Sequence, residues 1–105
     1  MHIEVSTDNN IDGSEALATV IKGLVQQELA HLDEHISRIE VHLSDPSTGT
    51  TGHEEKHCML EARLKGQQPT VVKHADLTLE QATKGAASKM KSSLERTLGK
   101  LSDRH

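Results

Sequence analysis

The chain has 105 residues, enough for one domain built around one modest core. It contains no Phe, Tyr or Trp, so its core must be aliphatic, and it lacks the aromatic platforms on which RRM and OB modules stack single-stranded bases. The net charge of −4 is unevenly spread: residues 1–62 carry three basic against twelve acidic side chains, and residues 63–105 carry nine against four. The first part is thus net −9 and the second net +5. Such a division can present a positive patch on an acidic body; it also fits an ordinary solvated surface.

No apolar run approaches the roughly 18 residues of a membrane span. His2-Ile3-Glu4-Val5 offers no basic region leading into an apolar core, so no secretory signal is expected. Cys58 is the sole cysteine and excludes an intrachain disulfide. A cytoplasmic location is the simplest expectation.

Residues 2–6 alternate polar and apolar, the period of a half-buried strand. Asp8 to Gly13 is rich in turn formers. Asp12 and Glu15 have capping-box spacing, with Ser14 as a rival cap. Leu17, Val20, Ile21, Leu24, Val25, Leu29, Leu32 and Ile36 then recur at three and four residues, which predicts a helix over about 14–35. Residues 38–44 alternate with Ile39, Val41 and Leu43 inward, and residues 45–52 have the composition of a flexible loop. Alternation returns over 58–64, where Cys58, Leu60, Ala62 and Leu64 share a face. Gly66 to Pro69 reads as a tight connection and 70–75 as a fourth strand. Thr78-Leu79-Glu80-Gln81 is a capping box for a last helix. Its buried stripe is Leu79, Ala82, Ala86, Met90, Leu94, Leu98 and Leu101, with Lys100 and Arg104 in the last turn.

The order β-α-β-β-β-α makes the first two strands parallel, by the handedness of the crossover, and the rest antiparallel. Two amphipathic helices and a sheet with one apolar face predict an α+β fold, a four-stranded sheet with both helices on one side. The other side, with Glu40, His42, Met59, Glu61 and Arg63, is expected to face water.

Enzymatic chemistry finds little support. His53-Glu54-Glu55-Lys56-His57 matches H-E-x-x-H, but a zinc protease needs that motif on a helix. In an extended chain, residues four apart lie roughly 13 Å apart, so a solvated loop is the better reading. His31 and His35 sit four apart near the end of the first helix. They could bind a divalent metal, or simply favour a helix C-terminus as cations. Cys58 reads as a small core residue rather than a nucleophile. No phosphate-cradling glycine loop is visible.

The basic residues say more. Lys89, Arg96 and Lys100 share one flank of the last helix, and Lys84 and Lys91 line the other. Arg63, Lys65 and Lys73 come from the neighbouring hairpin. Such groups suit phosphates along an RNA backbone, although a solvated helix face would look similar.

Several strings, set in this element order, resemble the ribosome hibernation-promoting factor family. That family takes in ribosome-associated inhibitor A (protein Y) and proteins once labelled sigma-54 modulation proteins. The strings are Ile3-Glu4-Val5 with Asp12 to Leu17, Arg38-Ile39-Glu40-Val41-His42-Leu43, Glu61-Ala62-Arg63-Leu64, and Leu94 to Leu101. The resemblance spans nearly the whole chain and implies a fold like that of double-stranded RNA-binding domains. It implies a single ribosome-binding domain over residues 1–105, docked on small-subunit rRNA in the mRNA and tRNA channel. There it would block translation and preserve idle ribosomes under stress. No enzyme activity, cofactor, metal, membrane or small-molecule substrate is implied. Carried over, Arg96 and Lys100 match best among RNA-binding residues, with Lys89 and Lys91 next; Lys22, Arg63, Lys65 and Lys84 complete the candidate set. The chain departs from the family in offering only Lys22 on its first helix, His31 near a position that is often Lys, and Ser92 and Ser93 where another Lys is expected. Binding that is weaker, more salt-sensitive or more dependent on pH through His31 and His35 is the expectation. The chain ends soon after the last helix, as in a short form of the family. A non-ribosomal interaction module on the same fold, or a histidine-based metal binder, is the alternative.

Overall fold

Period-two alternation sets the strands and the sheet they form. In the computed structural model, which describes residues 1–46 and 55–102, β1 is His2–Thr7, β2 Ile36–Ser44, β3 Lys56–Leu64 and β4 Thr70–Asp76. They form one sheet in the order β1-β2-β3-β4. β1 runs parallel to β2, and the other pairs are antiparallel. The register aligns Ile3, Ile39 and Ala62, then Val5, Val41 and Leu60, then Leu43 and Cys58. The members of these rows from β2 and β3 are buried. The two helices, α1 (Glu15–Leu29) and α2 (Leu79–Ser102), cover that face, so the α+β arrangement is as expected. α1 contributes Ile21, Val25 and Leu29 to the core, and α2 contributes Ala82, Thr83, Ala86, Ala87, Met90 and Leu94.

Small residues along the inner face of α2 bring its backbone close to the sheet. At Gly85 any Cβ would run into the His74 ring of β4. Thr83 is buried, and its hydroxyl donates to the Leu79 carbonyl at 2.7 Å, so no polar atom is left without a partner there.

Three expectations need correction. The cap of α1 is Ser14, whose Oγ accepts from the Leu17 N–H at 3.1 Å, and not Asp12. α1 is also shorter than its apolar stripe suggests. It ends at Leu29 and passes through one 3-10 turn, Ala30–Leu32. Ile36 is instead the first residue of β2 and pairs with Leu64. A register shift at Ser37, between the Ile36 and Arg38 pairs, re-phases the strand. Ile36 and Ile39 therefore both point inward although they are an odd number of positions, three, apart. Third, Val20 lies off the buried stripe and is 47 % exposed. Most of the expected 45–52 loop, His53 and Glu54 of the H-E-x-x-H string, and Arg104 lie outside the described residues.

Candidate nucleic-acid interface

α2 positions most of the candidate cations. Its start is fixed by Thr78, whose Oγ1 accepts from the Gln81 N–H at 3.0 Å. From there the helix runs back antiparallel to β4, with Gly85 against His74 and the Lys89 Nζ donating to the Lys73 carbonyl at 2.8 Å. β4 is an edge strand, so Lys89 covers part of an unpaired rim. Continuing in that direction, 24 residues of helix extend about 36 Å. Its C-terminal half thus passes the β3–β4 turn that follows Lys65.

Lys89, Arg96 and Lys100 are all exposed and fall within about 40° of one another around the axis, on the β4 side of α2. Lys73, on β4, stands at the foot of this flank. Arg63 and Lys65 are exposed at the end of β3, on the side toward which the helix runs. Lys84 and Lys91 occupy the opposite flank. Lys84 borders a depression between the helices, with Leu24, Gln27, Glu28 and Ser88. Lys22 is two residues from Leu24 and so stands on the far side of α1 from that depression. The structure thus gathers Lys89, Arg96 and Lys100 with Lys73, sets Arg63 and Lys65 toward the same end, and leaves Lys84, Lys91 and Lys22 apart.

None of these nine cations makes an ion pair among the described residues. Acidic groups engage other partners. Glu4 binds Arg38 at 2.7 Å, with Glu40 at 3.5 Å on the same guanidinium nitrogen. Asp45 holds Lys56 at 2.9 Å, and Asp33 holds the amino terminus at 3.0 Å. Arg38, directly across from Arg63 in the register, is thereby neutralised while Arg63 is not. Strand alternation places both arginines on the open face, but only the coordinates show which one the acids claim.

The paired-histidine idea loses its helix. His31 lies in the 3-10 turn and His35 in the turn before β2. His31 Nε2 is 2.9 Å from Glu95 Oε2, a tie between that turn and α2 which the sequence reading missed. No group of three or more His, Cys, Asp or Glu side chains among the described residues could hold a metal ion. Lys56 and His57, from the end of the H-E-x-x-H string, lie in β3 and not on a helix. No helix among the described residues is long and apolar enough to cross a membrane.

The fold thus has one helix-covered face and, among the described residues, a line of cations with no carboxylate partner, and comparison with known proteins supplies its class. The family model for sigma 54 modulation protein / S30EA ribosomal protein matches residues 3–102, and the chain belongs to that ribosome-associated family. Among solved structures, the N-terminal domain of Thermus thermophilus Protein Y is similar at a TM-score of 0.66 and 20 % identity, over 92 % of this chain and 99 % of that one. A ribosomal subunit interface protein from Coxiella burnetii is similar at a TM-score of 0.70 and 17 % identity, over 94 % and 99 %. At such identities the two structures speak for the fold. No curated protein matches the chain by sequence.

Proposed function

We propose that this chain is a ribosome-associated translation inhibitor of the hibernation type. It acts by occupancy, with no reaction and no cofactor. Residues 1–105 form one binding domain that lies on small-subunit rRNA in the channel used by mRNA and tRNA. The observation that carries this reading is the cation flank of α2, Lys89, Arg96 and Lys100, which meets no carboxylate among the described residues. Arg63 and Lys65 extend it, and Lys84, Lys91 and Lys22 offer secondary contacts. Charges of this kind, spaced along a rigid helix, bind phosphates by position and counterion release rather than by reading bases. Family membership supplies the ribosome as the site of action.

The test is competition on purified small subunits. Bound chain should prevent stable loading of mRNA and initiator tRNA, and excess mRNA with tRNA should release the chain. Simultaneous, independent binding of chain and tRNA would place the site elsewhere.

A further inference from the structure

The open face of the sheet carries a depression of about 540 Å³, within the size range of small-ligand sites. Its chemistry follows from the register. His42, Met59 and Lys73 are direct neighbours across β2, β3 and β4. Ser44, His57 and Ala75 form the next row. His42 stands across from Met59 at about 5 Å, and His57 precedes Met59 by two residues on the same face of β3, about 7 Å along the strand, so both imidazoles border one thioether on a mostly apolar floor. Lys89 reaches the same cavity from α2, around the β4 edge. No carboxylate among the described residues lines the cavity. Glu40 and Glu61 stand one row away, beyond His42 and Met59.

The geometry points to a pocket for one unpaired nucleotide of a single-stranded RNA, its base against His42, His57 and Met59 and its phosphate between Lys73 and Lys89. This rests on the ribosomal reading and deepens it. In a chain with no Phe, Tyr or Trp, imidazole is the remaining aromatic surface on which a base can stack, and a methionine sulfur adds a favourable contact with an aromatic ring. The two lysines make no ion pair among the described residues and complement an anion. A strand, rather than a free nucleotide, fits because Lys89 belongs both to the cavity and to the flank that continues through Arg96 and Lys100. Arg96 is about 10 Å further along the helix, so the next phosphates have cations to meet.

The experiment uses the full chain with carbon-13 in its three methionine methyl groups. Met59 reports on the cavity, and Met90, fully buried in the core, is the internal control. The chain is titrated to millimolar levels with hexa-adenylate RNA, with an abasic phosphodiester of the same length, and with adenosine monophosphate. The expected result is a ring-current shift of the Met59 methyl with hexa-adenylate alone, while Met90 stays still. The variant combining His42→Ala and His57→Ala should weaken hexa-adenylate binding about fivefold or more and leave binding of the abasic oligomer unchanged. An unmoved Met59 methyl, or an equal shift with the abasic oligomer, overturns the inference. An equal shift with adenosine monophosphate overturns the assignment to an RNA strand. Co-sedimentation of the unaltered chain with ribosomes keeps the two readings distinct: pelleting with an unmoved Met59 removes only base capture, whereas failure to pellet removes the ribosomal reading itself.

Discussion

Cys58 faces Leu43 on one side and His74 on the other, and is 1 % exposed. Burial pushes its thiol from 9.0 up to about 11, with a Thr83 hydrogen bond pulling slightly the other way. The folded chain therefore holds the proton through a window where the unfolded chain has lost it. Stability from this thiol is complete below pH 9 and is lost as the pH rises through about 11, on the order of 2–3 kcal/mol. Urea unfolding at pH 8 and pH 10.5 should show a smaller loss for Cys58→Ala than for the unaltered chain. Equal losses would mean that the thiolate is tolerated in the core. Gly85 offers a second test at one position. Ala is the better helix former by about 1 kcal/mol, yet its Cβ meets the His74 ring. Gly85→Ala should therefore destabilise by about 1–3 kcal/mol. Adding His74→Ala should recover most of that, a coupling that a double-mutant cycle measures.

The helix starts locate a smaller effect at the scale of the element. Ser14→Ala removes the side-chain acceptor for the Leu17 N–H and should cost about 1 kcal/mol in chemical denaturation. Asp12→Ala, by contrast, should be near neutral, because the Asp12 carbonyl, not its carboxylate, accepts from the Ser14 N–H. The sequence could not separate these two, since both spacings satisfy a cap. The C-terminal end of α1 shows a different limit. Leu29, Leu32 and Ile36 keep helical spacing, but tertiary pairing overrides it. The His35 carbonyl accepts from the Lys65 N–H at 2.9 Å, and Ile36 joins Leu64, so the strand begins where periodicity still favours helix. The bulge at Ser37, whose Oγ donates to the Arg63 carbonyl at 3.1 Å, takes Ile36 out of the alternation that reads Ile39, Val41 and Leu43 correctly, so the start of the strand is hidden. Elsewhere, strict alternation in β1 and β3, the turn residues Gly66 to Pro69 ahead of β4, and the Thr78 box made the element order and the sheet legible. The His31–Glu95 tie was not, because its partners are 64 residues apart. Both partners are 47 % exposed, so it contributes little to stability.

Across the whole molecule, the formal charge understates what a polyanion would meet. Four acids of the first half, Glu4, Asp33, Glu40 and Asp45, bind Arg38, Lys56 and the amino terminus, while the cations of α2 and Arg63, Lys65 and Lys73 meet no carboxylate among the described residues. The division of charge was readable from composition, and helical spacing gave the two flanks of α2. Which cations the acids claim depends on strand register, and no local pattern encodes it. The most direct measurement is co-sedimentation with purified small ribosomal subunits over a salt series, for the unaltered chain and for the chain carrying both Arg96→Glu and Lys100→Glu. Three to five phosphate contacts give a slope of log affinity against log salt of roughly −2 to −5. The expected result is a slope in that range, with the charge-reversed chain remaining in the supernatant even at low salt. Binding that ignores salt, or that survives reversal of both charges, would contradict a phosphate-directed cation flank as the basis of recognition.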